Sequence, residues 1–272
     1  MNIPFHKAHI TEDEINLVVD ALKSGWITMG PKVLKFENEF SEFINKVSER
    51  KIRTLVVNSC TAALHLALKA IGLKAGDEVI LPTNTFIATA EVVTYFNAKP
   101  VLCDIEYDTM LMDVNKLEPL ITEKTKAIIP VHFAGQPCDM DEILSIARRY
   151  NLKVIEDAAH SFPAYYKGKP VGTIGDMTCF SFYATKTLAM GEGGAVTTDN
   201  EDYLRSIKIN RLHGINRDAW DRYTMKGSWY YEVVDNGLKY NSTDINAALG
   251  LPQLKKSDWM RNEREKIAKK YI

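Results

Sequence analysis

Short apolar runs alternate with segments of helical periodicity along most of this chain. Before residue 50 the spacing of apolar residues predicts two amphipathic helices, Glu12–Ser24 and Pro31–Ile44, the first with Thr11 as its N-cap and Gly25 as its end. From residue 54 onward, short runs rich in Val and Ile predict strands. The predicted strands are Thr54–Val57, Glu78–Leu81, Pro100–Cys103, Ala127–Val131, Lys153–Ile155, Thr178–Phe182 and Ala195–Thr198.

Segments with helical spacing separate or follow these strands. They are Thr61–Ala70, Phe86–Phe96, Met140–Tyr150, Tyr203–Leu212, Asn241–Leu254 and the charged segment Lys256–Ile272, with an irregular stretch rich in Trp and Tyr before Tyr240. Strands that are apolar on both faces and are separated by helices indicate an α/β fold. We therefore predict a mostly parallel sheet with helices on both faces.

Polar residues follow several of the predicted strands. In a parallel sheet the carboxyl ends of the strands meet at one edge, where ligands bind. The polar segments expected at this edge are Asn58–Thr61, Thr83–Phe86, His132-Phe133 and Asp157. Their convergence predicts a ligand site there.

Two strand ends carry groups that suit pyridoxal 5'-phosphate (PLP). Lys186 follows one strand and precedes the turn Gly191-Glu192-Gly193-Gly194, where the backbone can approach a ligand closely. Its amine could form a Schiff base with PLP. Asp157, at the end of another strand, could keep the pyridine nitrogen protonated. Taken alone, Lys186 could equally be a surface lysine and Asp157 the N-cap of the following turn.

The phosphate and the ring of PLP also have candidate partners. Ser59-Cys60-Thr61-Ala62 joins a strand to the N-terminus of a helix, where free N–H groups and the helix dipole favour an anion. Ser181 could add a hydroxyl, and Phe86 could stack on the ring. The alternatives are simple capping by Ser59 or Thr61 and a core position for Phe86.

Composition and charge narrow the range of partners. The chain has 272 residues and a net charge of −1, which provides no general attraction to nucleic acid or to anionic membranes. It contains no apolar run long enough to span a bilayer, and we expect a cytoplasmic protein whose scattered cysteines are mostly buried thiols. His132, Cys138 and His160 lack the spacing of a zinc site. The glycine-rich turn does not match the phosphate loop of nucleotide-binding proteins.

A series of motifs resembles the DegT/DnrJ/EryC1/StrS family of sugar aminotransferases, which are fold type I PLP enzymes. The motifs occur in the family's order and cover nearly the whole chain. They lie at residues 25–31, 58–64, 76–80, 130–135, 156–161, 181–186, 191–194 and 239–248. The resemblance implies that Lys186 carries PLP and moves protons, that Asp157 pairs with the pyridine nitrogen, and that His160 lies near the 3-hydroxyl.

The same resemblance places the remaining cofactor contacts. It implies Phe86 over the ring and Cys60, Thr61 and Ser181 at the phosphate, although Cys60 departs from the glycine or alanine usual in the family. Asn241 matches an asparagine that reaches the phosphate of the neighbouring subunit's cofactor. A homodimer with shared active sites is therefore implied.

The implied reaction is transfer of an amino group from glutamate to a nucleotide-linked keto sugar in polysaccharide or modified-sugar biosynthesis. The motifs look most like the branch that aminates C4 of UDP-linked 4-keto sugars, such as the UDP-4-amino-4-deoxy-L-arabinose enzymes. Related proteins that use PLP for sugar dehydration have histidine at the position of Lys186. A PLP-binding regulatory or remnant protein without turnover is the other alternative.

Family members continue beyond the last residue of this chain. We therefore expect residues 1–240 to form a large PLP-binding domain and residues 241–272 to begin a smaller C-terminal domain. On this interpretation the sequence is a fragment that lacks part of the sugar pocket.

Overall fold

The computed structural model describes residues 4–216 and 230–271. The central part of the stretch expected to be irregular, residues 217–229, lies outside the described residues, as does Ile272. The described part contains no helix that is both long enough and apolar enough to cross a membrane.

Helices and strands alternate as the apolar pattern predicts. The strands are β1 (Arg53–Val57), β2 (Glu78–Pro82), β3 (Lys99–Cys103), β4 (Thr125–Ile128), β5 (Lys153–Asp157), β6 (Tyr165–Tyr166), β7 (Lys169–Pro170), β8 (Met177–Ser181) and β9 (Gly194–Thr198). The helices are α1 (Glu12–Ser24), α2 (Pro31–Asn45), α3 (Cys60–Ala70), α4 (Ile87–Thr94), α5 (Val114–Leu117), α6 (Met140–Arg149), α7 (Glu201–Asn210), α8 (Asp244–Lys255) and α9 (Ser257–Ala268). The short helix α5 and the hairpin β6–β7 were not predicted.

The main sheet has the strand order β1-β9-β8-β5-β4-β2-β3. Strand β9 is antiparallel to both of its neighbours, β1 and β8, whereas the other neighbouring pairs are parallel. The carboxyl ends of the other strands and the amino end of β9 therefore meet at one edge. A mostly parallel sheet, as predicted, is confirmed, and β9 is its exception.

Helices cover both faces of this sheet. Successive residues of a strand point to opposite faces, so Ile155 packs with α3 and α4 while Val154 packs with α6. On the face of Val154, a second cluster gathers side chains of α2, β8 and α8 around Phe40. Helix α8 thus shares a core with α2, and the division at residue 241 into two domains stays a prediction.

Several element boundaries differ from the predictions, for local chemical reasons. The strand predicted at Ala127–Val131 ends at Ile128, because Pro130 has no N–H to donate to a ladder. Helices α7 and α8 begin where Asn200 and Thr243 accept hydrogen bonds from the first-turn N–H groups.

Helix α1 is present as predicted, but several of its apolar residues are exposed. Ile15 is 46% exposed and Leu22 is 54% exposed, whereas Glu14 is fully buried. The Glu14 carboxylate lies 2.5 Å from the Lys256 ammonium and accepts hydrogen bonds from Gln253 and Thr11. A polar network therefore joins α1 to the end of α8.

This network makes stability depend on pH. Burial raises the pKa of Glu14, but the hydrogen bonds from Lys256 and Thr11 outweigh this effect. The net result is a pKa lowered from 4.5 to about 2. A carboxyl group whose pKa is lowered by folding stabilises the protein above its unfolded pKa, and this contribution is lost as the pH falls through the folded value. We expect Glu14→Gln to lower the free energy of unfolding at neutral pH by about 1–3 kcal/mol.

Urea denaturation at a series of pH values measures this effect. The difference between the wild type and Glu14→Gln should shrink as the pH falls from about 5 towards 2. Glu12→Gln, at an exposed position in the same turn, is the matched control and should change stability little. A difference that stays constant over this range would contradict the assignment.

Candidate active site

The edge where the strands end borders a cavity of about 590 Å³. Residues from the ends of β1, β2, β5 and β8 line it, together with the turn before β9. Of the residues predicted to form the site, those that line it are Cys60, Thr61, Phe86, Asp157, His160, Ser181 and Lys186. The structure thus brings together side chains that are far apart in sequence.

One wall of the cavity is the N-terminus of α3. Ser59 is the N-cap, and its hydroxyl accepts a hydrogen bond from the Ala62 N–H at 3.1 Å. Cys60 and Thr61 are the first two residues of the helix, where N–H groups have no acceptor within the helix. Ser59 therefore has the capping role considered as an alternative, and the helix terminus still offers N–H groups to an anion.

The glycine-rich turn allows β9 to start against this helix terminus. A Cβ atom on Gly194 would lie 2.4 Å from the carbonyl carbon of Ser59 and 2.6 Å from the nitrogen of Cys60. Only glycine fits such an approach of two backbone segments. The glycine thus sets the distance between the turn and the proposed phosphate position.

Asp157 is buried at the end of β5, and its two closest hydrogen-bond donors are Thr89 and Ala159. Its Oδ2 accepts a hydrogen bond from the Thr89 hydroxyl at 2.8 Å, and its Oδ1 accepts one from the Ala159 N–H at 3.1 Å. The Thr89 hydroxyl also lies 2.7 Å from that of Thr85. Sequence reasoning missed Thr89, and the available signal was a hydroxyl on the otherwise apolar buried face of helix α4.

Lys186 lies in the turn after β8, where its backbone N–H donates to the Tyr183 carbonyl at 2.9 Å. Burial lowers the pKa of its amine, and the nearby Cys60 and Asp157 oppose this effect. A lowered pKa increases the fraction of neutral amine, which is the nucleophilic form. Half-burial thus suits Lys186 to attack a carbonyl.

The neighbouring His160 and Cys60 are shifted towards their neutral forms. Burial and then the charge of Lys186 lower the pKa of His160, while Asp157 acts in the opposite direction. Burial, followed by the charge of Asp157, raises the pKa of the Cys60 thiol well above its ordinary value. Among the predicted site residues, the acid–base groups at the cavity are therefore the Lys186 amine, the Asp157 carboxyl group and the His160 imidazole.

Of two further predicted site residues, Phe86 lies at the cavity and Asn241 does not line it. Phe86 is 75% exposed at the cavity, so the alternative of a core position is wrong, and its stacking role stays a prediction. Asn241 is not among the residues that line this cavity; it pairs with Val57, and its Oδ1 accepts a hydrogen bond from Lys239 Nζ at 2.6 Å. Its predicted contact with a second subunit stays a prediction.

His132 belongs to a buried hydrogen-bond network behind the site. Its Nε2 lies 2.8 Å from Glu156 Oε2, and its Nδ1 accepts a hydrogen bond from the Cys138 N–H at 3.2 Å. Its carbonyl accepts a hydrogen bond from the Ser161 hydroxyl at 2.8 Å. Both ring nitrogens of His132 are thus engaged in positioning the loop after β4.

Comparison with known proteins identifies the family of this chain. The family model of the DegT/DnrJ/EryC1/StrS aminotransferase family matches residues 8–272. The chain belongs to this family. It is 49% identical to the spore coat polysaccharide biosynthesis protein SpsC of Bacillus subtilis over 269 residues, which are 99% of this chain and 68% of that protein. It is 57% identical to the uncharacterised protein MJ1066 of Methanocaldococcus jannaschii, with the same coverage of both chains.

Solved structures of similar aminotransferases share the fold. Spr1654 of Streptococcus pneumoniae, described as a candidate sugar aminotransferase, is 39% identical in its PMP-form and has a TM-score of 0.89, covering 99% of this chain and 71% of that one. PseC of Helicobacter pylori, an aminotransferase involved in pseudoaminic acid biosynthesis, is 30% identical and has a TM-score of 0.84. The match covers 94% of this chain and 66% of PseC. The fold type I architecture is therefore confirmed.

PLP is the cofactor of this aminotransferase family, and Spr1654 has also been solved in a PLP-form. The groups around the cavity fit PLP: an amine with a lowered pKa, a buried carboxyl group and a helix N-terminus. These groups match the aldehyde, the ring nitrogen and the phosphate of PLP, respectively. The predicted cofactor is confirmed.

Thr89 offers a test of how Asp157 is held. Thr89→Val keeps the shape of the side chain but removes the hydroxyl that donates to the Asp157 carboxyl. A buried acceptor that loses its donor costs about 1–3 kcal/mol. We expect the variant to unfold at lower urea concentration and to bind PLP more weakly in a fluorescence titration.

Thr94→Val is the matched control for this variant. Thr94 lies on the same helix but is exposed, and its hydroxyl donates to the Glu91 carbonyl. The control should leave PLP affinity unchanged. Equal PLP affinities of Thr89→Val and the wild type would show that Asp157 does not need this donor.

Proposed function

We propose that this chain is a sugar aminotransferase that transfers an amino group from glutamate to the C4 keto group of a UDP-linked sugar. The convergence of Lys186, Asp157 and the N-terminus of α3 on one cavity carries the proposal. The similarity to SpsC, to Spr1654 and to PseC supports sugar chemistry and a role in polysaccharide or modified-sugar biosynthesis. The cytoplasmic location stays a prediction.

PLP, when bound, supplies a carbonyl group for the amine and a ring that accepts electrons. The first-turn N–H groups of α3, at Cys60 and Thr61, would hold its phosphate, with the Ser181 hydroxyl beside them. Phe86 would cover one face of the ring, because it stands exposed at the cavity. These contacts would fix the position of the cofactor relative to Lys186.

The acid–base residues then divide the proton transfers between them. Lys186 Nζ, whose lowered pKa favours the free amine, would take the proton from the Cα of the amino donor as a general base and return it as a general acid. The Asp157 carboxylate, fixed by Thr89 and Ala159, would hold a proton on the ring nitrogen. His160, neutral through burial, would accept or donate a hydrogen bond at the 3-hydroxyl.

We also propose that two copies form a homodimer with shared sites. Phe86 is 75% exposed, Ile87 is 65% exposed and Tyr183 is 45% exposed, and Phe86 and Tyr183 line the cavity. A second copy that covered them would remove this apolar surface from water. In such a dimer Asn241 would contact the cofactor phosphate of the other subunit, since it does not line its own cavity.

Covalent labelling tests the role of Lys186. Borohydride reduction of the PLP-loaded chain should fix the pyridoxyl group on Lys186, which peptide mass spectrometry would detect. Lys186→Ala should lose the label, whereas Lys169→Ala, at an exposed position in β7, should keep it. Labelling of another lysine to the same extent in the wild type would contradict the assignment.

A direct assay tests the reaction. The PLP-loaded chain, incubated with ¹⁵N-glutamate and a UDP-linked 4-keto sugar, should yield a ¹⁵N-labelled amino sugar, and Lys186→Ala should lower the rate at least about 100-fold. Labelled Lys186 without amino transfer to any keto sugar would favour the PLP-binding protein without turnover. Loss of a sugar hydroxyl instead of amino transfer would favour the dehydratase.

A further inference from the structure

A second cavity, of about 320 Å³, adjoins the first at Lys186. Both cavities are lined by Lys186, Ser181, Thr185, Ala159 and His160. Lys186 therefore lies at the boundary between the two cavities. The first cavity contains the groups that fit PLP. No ligand has yet been assigned to the second cavity.

The two cavities differ in charge. Asp157 and Glu192 line the first cavity. The second is lined by Arg264 of α9 and by His6 as well as by Lys186, and no aspartate or glutamate is among the described residues that line it. A pocket with cationic side chains and no carboxylate favours an anionic ligand.

Two polar side chains of this second cavity, His6 and Arg264, can form further hydrogen bonds. Nε2 of His6 is buried and has no hydrogen-bond partner in the described part of the chain. A buried polar atom without a partner is costly, so a ligand that reaches it gains a hydrogen bond without displacing another. No carboxylate of the described residues forms an ion pair with Arg264. Its guanidinium can therefore bind an anion through two parallel hydrogen bonds.

We infer that the second cavity binds the anionic group of a reactant through Arg264 and His6 while the reacting carbon faces Lys186. This inference rests on the proposed function, because that function requires reactants that carry anionic oxygens. The shared chemistry is a carboxylate or a phosphate: the amino donor carries the first and a nucleotide-linked sugar the second. Phe162 and Leu188 supply apolar walls for the atoms between the anion and the reacting carbon.

Binding of two unreactive probes to the PLP-loaded chain tests this inference. Glutarate represents the carboxylates of the donor, and UDP represents the phosphates of a nucleotide sugar. Isothermal titration calorimetry should show that Arg264→Gln weakens the binding of at least one probe about tenfold or more, with PLP affinity unchanged. His6→Gln is the second variant and should weaken the binding of the same probe.

Arg261→Gln is the matched control. Arg261 lies on the same helix, and its guanidinium packs 5.1 Å from the ring centre of Tyr165 instead of lining the cavity. Weaker glutarate binding in Arg264→Gln alone would identify a carboxylate site, and weaker UDP binding alone a phosphate site. Unchanged binding of both probes in Arg264→Gln and His6→Gln would overturn the inference.

The binding experiment does not depend on turnover, so the two proposals can fail separately. If Arg264→Gln weakens the binding of a probe but no keto sugar is aminated, the anion site stands and the proposed function fails. If amino transfer occurs with the same half-saturating concentrations of glutamate and of the sugar in wild type and Arg264→Gln, the proposed function stands and the anion site fails.

Discussion

The site depends on one close contact between two backbone segments. Gly194 begins β9 where a Cβ atom would lie 2.4 Å from the carbonyl carbon of Ser59. This approach lets an antiparallel strand enter between β1 and β8 at the edge where the other strands end. The turn before it is fixed by hydrogen bonds from Phe182 N–H to Gly193 O and from Met190 N–H to Phe182 O, both 2.8 Å long. The Lys186 turn is thereby held against the N-terminus of α3.

Burial then determines the chemistry that these positions permit. Lys186 is buried enough to lower its pKa but remains accessible from two cavities. Asp157 is buried more deeply, and a buried carboxyl group is tolerated only with hydrogen-bond donors. The Thr89 hydroxyl and the Ala159 N–H are the closest of these donors. The Asp157 carboxyl group is thus held rigidly, whereas the Lys186 amine can reach either cavity.

Much of this arrangement follows from local sequence patterns, because polar residues after apolar strands must lie at the edge of the sheet. Asp157 and Lys186 were predicted in this way, and both line the cavity. Thr89 was missed because the spacing of a helix shows which residues share a face but not which hydroxyl meets a distant carboxyl group. Ile15 and its apolar neighbours on α1 show the same limit, since periodicity does not say which face is covered.

The proposed anion site was beyond local patterns for another reason: His6 and Arg264 come from opposite ends of the chain and line the same cavity only in the folded structure. Their position gives Lys186 neighbours of opposite charge, with Asp157 in one cavity and Arg264 in the other. In the proposed arrangement, a cationic ring nitrogen would be attracted to Asp157 in the first cavity and a reactant's anionic group to Arg264 in the second. Like-charge repulsion would oppose the reverse placement of either ligand. The same amine could therefore serve an amino donor and a sugar acceptor in turn, each oriented by charge.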